Sequence, residues 1–401
     1  MSRIQSPLNH AVPAVLVSFA LLHGAQAHAA CPAPSAGGST FDVLPGDSIQ
    51  KAIGATQNGD VVCVQDGTYT ENLTFLGKSI SVVAANPGGA IIDGGCHGPV
   101  VTFKSGEGYQ SVLDGFVIQN GCADYGGGIY VSNSAPRIKN ALITSNKATG
   151  LSGYSRGGGV AIVGTGQTRI ENTTIRSNRA TYGGGGIAVI YGGGLRLIGS
   201  SVDDNLAPYG AGLMVSSDSQ ATIERTGILG NVASGDGGGM HVGVSFAQVY
   251  LRSSVIAKNS AGRYGGGIWL PAGFLNATNA VFDSNTASIG GGIASGRASL
   301  ANVANSIFIN TYTGAALVCT DCGTAGGGLT NQYNLFYGNT GGDYSGTSGN
   351  TGLVTGINPG ISGWYVPSAG TIDAGIPDPL YNDTNGTRND LGIHGGPNPW
   401  R

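Results

Sequence analysis

The sequence predicts an all-β solenoid, with three short strands to a coil of roughly 27 residues and a short capping helix at its N-terminal end. Three observations carry this. First, a glycine-rich turn followed by an aliphatic residue recurs at Gly126–Ile129, Gly157–Val160, Gly184–Ile187, Gly210–Leu213, Gly237–Met240, Gly265–Ile268 and Gly290–Ile293. Second, each unit closes on an asparagine: Asn146, Asn178, Asn205, Asn231, Asn259, Asn285 and Asn310, at successive spacings of 32, 27, 26, 28, 26 and 25. Third, aliphatic residues keep two offsets from that asparagine, Ile138, Ile170, Leu197, Ile223, Leu251 and Ala277 at eight, and Ile143, Ile175, Val202, Ile228, Ile256, Phe282 and Ile307 at three. Constant offsets on either side of a turn place side chains in interior columns. A fixed period in this range marks units that bury their faces only against neighbours.

Met1 to Ala30 has the form of an export signal: Arg3, an apolar run from Ala11 to Leu22, and small residues at Ala25, Ala27 and Ala29. The run is short for a bilayer, and no later stretch has the ~20 apolar residues that spanning needs. The mature chain is read as secreted or displayed at a bacterial cell surface, extracellular or periplasmic, and as a monomer; Cys31, directly after Ala30, keeps a lipoprotein form as the alternative. A formal net charge of -3 argues against a general nucleic-acid binder. Charged residues make up only 10%, against about 25% in an ordinary soluble domain. Glycine, at 73 of 401, is periodic, which points to a turn-rich fold and not to disorder.

In chain order, Asp47 or Ser48 caps a short helix through Ile49 and Ile53. Short β-rich runs follow at Val61–Val64, Ile80–Val83 and Ile91–Asp93, bounded by Gly, Pro and Asn. The Gly46-Asp47 and Asp66-Gly-Thr-Tyr69-Thr-Glu71-Asn72 segments resemble the opening of right-handed parallel β-helix proteins of the pectate-lyase-like class. The pairing of Phe282-Asp-Ser-Asn285 with Gly290-Gly-Gly-Ile293 resembles the repeats of polymorphic outer-membrane proteins and related surface adhesins, over about residues 126 to 310. The C-terminal Ile372 to Gly396 resembles the anchoring-type segment that follows many bacterial secreted β-helices. The division expected is a signal at 1–30, the β-helix at 31–337, and an irregular segment at 338–401 that closes the stack or anchors it.

Export permits disulfides, and six cysteines allow three. Cys96 and Cys122 align one coil apart when Ile92 is laid over Ile118; Cys31 with Cys63 would staple the N-terminal end; Cys319 with Cys322 would close a small loop.

Residues between interior positions face outward and can be read across coils. Arg137, Arg169 and Arg196 form a column beside Lys139, Glu171 and Glu224. Arginine grips carboxylates and sulfates bidentately, so this column is a candidate stripe for a polyanionic glycan; the competing reading is a solvated ladder that Glu171 and Glu224 neutralise. A second column places His241 beside Trp269, a candidate sugar platform in which His241 could also serve as a base, with Arg169 the other weak catalytic candidate. Tyr264, Arg263 and Asp236 are the turn residues placed to meet a ligand. Asp378, Asp383, Asn385 and Asp390 gather oxygen ligands that would suit Ca2+, the one cofactor expected, although Asp and Asn are also ordinary turn formers.

Many β-helix proteins of the class it resembles cleave polysaccharides, which requires either paired carboxylates or a base with something to neutralise a uronate carboxylate. Acidic residues here are scattered along the coils. The sequence therefore favours a surface protein that binds glycan, adhesin-like, with a polysaccharide lyase or glycoside hydrolase acting on pectate or alginate as the alternative.

Overall fold

A computed structural model describes residues 31–150, 153–243, 245–321, 328–360, 365, 371–397 and 399; the expected export signal lies outside them. The chain winds into a stack of coils whose strands form three parallel sheets. Sheet A has 22 strand segments, sheet B 12 and sheet C six. One coil shows the plan: Ile129–Ser132 and Arg137–Lys139 lie in sheet A, Leu142–Thr144 in sheet B and Lys147–Ala148 in sheet C. Each pairs in register with the same segment one coil on, as Ile143 does with Ile175 and Lys147 with Arg179. Further along, the two sheet A segments fuse into single strands, Ile268–Thr278 and Ile293–Ala304.

The interior columns fill the coil. Ile129, Ile138 and Ile143 are fully buried, as are their counterparts Val160, Ile170 and Ile175. Each such side chain contributes roughly 1.5–3 kcal/mol through burial. Under sheet C the column is alanine (Ala148, Ala180, Ala207, Ala233, Ala261 and Ala287), so the short strand closes onto the core without displacing it. The glycine turns allow a matching approach: a Cβ on Gly127 would stand 2.4 Å from the Lys147 carbonyl. At the N-terminal end, helix Ile49–Ala55 buries Ile49 and Ile53 over the first coil. Ser48 caps it, and Glu71 accepts the Ile49 and Gln50 amides at 2.9 and 3.0 Å, tying helix to coil.

The asparagines from Asn146 to Asn285 form a buried ladder in which each Oδ1 accepts the backbone N–H and side-chain Nδ2 of the asparagine before it, as Asn178 does for Asn146 at 3.0 and 3.1 Å. The expected register slips by one residue at the end of this run. Phe308, not Ile307, pairs with Phe282 and fills the interior; Thr311, not Asn310, takes the ladder position and donates its N–H to Asn339. Because the strand period is two, a one-residue slip moves every side chain to the opposite face. The Phe282–Phe308–Phe336 rings stack at 4.6 and 5.1 Å and fix the true register.

Cys31–Cys63 and Cys96–Cys122 are disulfides, with Cα separations of 5.7 and 4.6 Å. Cys322 lies outside the described residues, so the third pairing cannot be placed on them. Strands Tyr344–Ser345, Ser348–Thr351 and Val354–Thr355 pair onto the preceding coil, so the stack runs on past 337. The later tail lies along the outer face of sheet B. Leu391 and Ile393 are buried there with Val281 and Ile307, and Asn389, Ile376 and Tyr365 hydrogen-bond to Asn279, Asn305 and Asp283.

Candidate functional site

The arginine column forms as the sequence implies: Arg137, Arg169 and Arg196 stand in register on sheet A. It is not a free cationic stripe. Glu171 pairs with both Arg137 and Arg169, Glu224 pairs with Arg196 at 3.5 Å, and Lys139 pairs with Asp114 at 2.9 Å. Burial works to raise the Glu171 carboxyl, but hydrogen bonds from Arg169 and Arg137 outweigh it and hold its pKa below the ordinary value. Three like charges in register would repel at ~4.8 Å. The interleaved glutamates offset most of that repulsion, with three arginines standing against two glutamates in the ladder.

His241 and Trp269 are neighbours in register, but their rings have other partners. Trp269 stacks on Tyr264 at 4.6 Å and 17°, while His241 meets the edge of Tyr209 at 5.9 Å. His241 is partly exposed as a residue, yet its Nδ1 is buried with no hydrogen-bond partner, and burial lowers its pKa to about 4. It is neutral at physiological pH. Tyr154, Tyr182 and Tyr209 continue the row at 5.5 and 5.3 Å, each covering its neighbour's face. In this row Gly183, the residue after Tyr182, bridges Arg156 and Tyr209. Arg263 forks onto the buried Asp236 at 2.9 and 2.6 Å and lies over the Tyr264 ring. This row is mostly satisfied by its own contacts.

The tail's oxygen ligands are also rearranged. Asp383 and Asp390 come together as expected, joined by Asp373, with oxygen atoms within 4.8 Å of one another. Asp378 instead caps a short helical turn by accepting the Leu380 N–H, and Asn385 closes a turn onto Thr387. Burial raises the Asp390 pKa, with the neighbouring Asp383 and Asp373 charges adding to it.

The bend between sheets B and C carries cations of a different kind. In successive coils the bend passes through Asn120, Ser145, Ser177, Asp204 and Gly230, all at left-handed φ between 51° and 62°. The next residue points inward as the ladder asparagine, or Gly121 in the first of these coils, and the one after it points outward from sheet C. Side chains on both arms of the bend converge on a cleft of about 760 Å³. Lys147 and Arg179 stand in register on its sheet C wall, both exposed, and neither has an acidic partner among the described residues. Leu206 continues the wall, and the Cys96–Cys122 disulfide closes one end. This column was readable as the residue just after each ladder asparagine.

Two exposed-side carboxylates border the cleft. Asp93 accepts hydrogen bonds from Gly95 N–H, Gln119 Nε2 and Asn120 Nδ2 at 3.0, 3.0 and 2.7 Å; burial alone would raise its pKa, but these bonds hold it below the usual value. Asp204 faces Arg176 at 3.8 Å. Neighbouring Asp203 is buried away from the cleft, bonded to Ser201, and burial raises its pKa to about 7. Following sheet B register from Asp93 through Gln119, Thr144 and Arg176 to Asp203 takes four steps, about 19 Å at the ~4.8 Å strand spacing. Paired carboxylates for glycoside hydrolysis stand about 5–9.5 Å apart. The cleft therefore lacks a hydrolytic pair. Nor do its carboxylates suit Ca2+: those of Asp93 are occupied by donors, and the three-carboxylate cluster of the described residues is in the tail.

Residues 105–273 match the family model described as "Right handed beta helix region". No curated protein matches the sequence. Among solved structures, a pectate lyase, Pel9A, aligns with TM-score 0.53 and 15% identity, covering 88% of this chain and 95% of that one. An alginate lyase from Paenibacillus sp. str. FPU-7 aligns at 12% identity with TM-score 0.42, covering 80% and 99%. A mannuronic acid specific polysaccharide family 6 lyase from human gut microbiota aligns at 14% identity with TM-score 0.34, covering 82% and 89%. With its three parallel sheets, its buried asparagine ladder and these matches, the chain has the fold of a right-handed parallel β-helix of the pectate-lyase-like class.

Proposed function

We propose that the protein is exported and holds an acidic polysaccharide along the cleft at the bend between sheets B and C, cleaving it by elimination. The observation that carries this reading is the stacked Lys147–Arg179 pair, without acidic partners among the described residues, set in a cleft of about 760 Å³ in a fold shared with a pectate lyase. Arg179, with Arg176 behind it, would neutralise the uronate carboxylate and so acidify the adjacent ring proton. Lys147 in its neutral amine form would take that proton; the electron pair forms the C4–C5 double bond as the C4–O bond breaks, and the leaving oxygen takes a proton from water. Elimination is preferred to hydrolysis because the cleft has cations in register and no carboxylate pair. Calcium, if it binds, belongs to Asp373, Asp383 and Asp390 in the tail and takes no part in these steps.

Incubation with polygalacturonate or alginate should yield products with the ultraviolet absorbance of an unsaturated uronate, and Lys147→Ala or Arg179→Ala should abolish it. The surface-binding reading predicts salt-sensitive retention on the same polymers without that product. Failure of every acidic polymer to be retained or cleaved refutes both.

A further inference from the structure

The cations of the cleft occupy one half of it. Taken coil by coil toward the N-terminal end, the bend offers Arg176 and Arg179, then Lys147, then the amides of Gln119 and Asn120, and last Asp93 with the Cys96–Cys122 disulfide. Asp93 makes no ion pair among the described residues, either with the exposed His97 of its own turn or with any other group. Burial works against its charge, but the donors from Gly95, Gln119 and Asn120 hold its pKa below the ordinary value, so it is ionised at neutral pH. The coil before it carries Thr70 in register, which brings no cation either. Lys147 stands two coils away, about 10 Å at the ~4.8 Å strand spacing, a separation at which physiological salt screens most of its charge. The cleft therefore runs from a pair of cations to an uncompensated carboxylate.

A linear glycan lying along the stack places about one sugar unit on each coil, because a hexose unit is comparable in length to the coil rise. A homouronan seated on Arg179 and Lys147 therefore brings a further carboxylate to Asp93, like charge against like. Two unit charges about 4 Å apart in water cost roughly a fivefold loss of affinity. An uncharged hexose brings no charge to repel, and its hydroxyls are donors, the groups that Asp93 already gathers. We infer that the cleft selects an acidic heteroglycan over a homouronan, with uronate units on Arg179 and Lys147 and an uncharged sugar at Asp93. Asp93 is then a specificity residue that acts by rejection. This rests on the acidic-polysaccharide reading above and specifies its substrate.

The test uses a tetrasaccharide, one unit for each of the four coils from Asp93 to Arg179. It is tetragalacturonate or tetramannuronate, whichever matches the acidic polymer that the intact chain retains, and it is compared by calorimetry with the two tetrasaccharides in which one or the other terminal uronate is replaced by the corresponding neutral hexose. One of these two should bind the unaltered chain about fivefold more tightly than the all-acid parent, and which one it is gives the direction of the chain along the stack. Asp93→Asn should raise affinity for the all-acid parent about fivefold and erase the preference. Asp218→Asn, which removes an exposed carboxylate between two strands of sheet A, should leave the preference as it was. The comparison within the unaltered chain stands even if Asp93→Asn does not fold. The inference alone is overturned if neither neutral-ended tetrasaccharide binds more tightly than the parent, if the preference survives Asp93→Asn or is lost equally in Asp218→Asn, or if a chain that retains the polymer binds none of the three. Retention of no acidic polymer overturns the polysaccharide reading itself.

Discussion

Asn178 offers the sharpest test of how the bend is held, because it sits in the ladder immediately before Arg179. Its Nδ2 donates to the Ile143 carbonyl at 2.9 Å and to Asn205 Oδ1 at 3.1 Å, and its Oδ1 accepts from Asn146 N–H at 3.0 Å and Asn146 Nδ2 at 3.1 Å. Asn178→Ala removes all four. Two of the partners retain another bond: Asn146 Nδ2 still reaches the Ile118 carbonyl, and Asn205 Oδ1 still accepts the Asn178 N–H. The Asn146 N–H and the Ile143 carbonyl lose these bonds in a fully buried site. At about 1 kcal/mol net per bond, with a further penalty for groups left unsatisfied, the loss is roughly 3–5 kcal/mol. Asn285→Ala removes three, since its Nδ2 donates to the Ile256 carbonyl and its Oδ1 accepts from Asn259 N–H and Nδ2, and should cost less. Urea unfolding followed by circular dichroism measures the loss. Amide hydrogen exchange at Asn146 is the local check, since solenoids can unfold in segments and depart from two-state behaviour. A loss below about 1 kcal/mol, or unchanged protection of the Asn146 amide, would refute the ladder as the support of the cleft.

Other outcomes follow from the same geometry. Arg169→Ala with Arg196→Ala should leave polyanion retention within experimental error, whereas Lys147→Ala with Arg179→Ala should abolish its salt-sensitive part; the reverse pattern would return the site to sheet A. Glu171→Gln should cost about 1 kcal/mol near neutral pH by leaving two half-buried arginines unpaired. Because the folded Glu171 pKa lies below its ordinary value, that difference is present above pH ~4.5 and shrinks as pH falls through the folded value, which paired denaturation curves would show. His241 is the opposite kind of group: a base whose folded pKa of about 4 lies below its unfolded 6.5. Its protonation favours the unfolded chain, so stability should fall between pH 6.5 and 4, and His241→Gln should flatten that fall. In the tail, millimolar Ca2+ should raise the Tm and Asp383→Asn should cancel the rise; identical melting in Ca2+ and chelator would dispose of a metal at Asp373, Asp383 and Asp390.

The fold was legible because a solenoid writes its cross-section into the sequence once per coil. Ile129, Ile138 and Ile143 could be assigned inward from offsets alone, and the Cys96–Cys122 disulfide followed from laying one coil over the next. The register at Phe308 was not legible. Ile307 and Phe308 are both apolar, and only the tail's cover over the outer face of sheet B explains why an outward position there carries isoleucine. The tail's carboxylate cluster was half legible for a similar reason: Asp383 and Asp390 are close in sequence, but Asp373 joins them through a chain reversal that no spacing announces. The arginine column was read in the right place, together with the competing ladder that Glu171 and Glu224 neutralise, and the structure sets both glutamates against its arginines. Lys147 and Arg179 went unnoticed because each stands alone in its strand, and only their stacking makes them a pair.

That difference between columns bears on function. An interior column repeats one chemistry because every coil must fill the same space. An outward column has no such constraint, and on sheet A Arg137, Arg169 and Arg196 come with Glu171 and Glu224 as partners. The column after the ladder asparagine departs from both patterns: it changes identity at nearly every coil, and Lys147 and Arg179 stand along the cleft without acidic partners among the described residues. Such a strip presents different chemistry at intervals of ~4.8 Å along a line. A compact solute would touch one or two of these positions and gain nothing from the rest. A ligand matched to several of them has to be extended and lie along the stack, as an acidic glycan would.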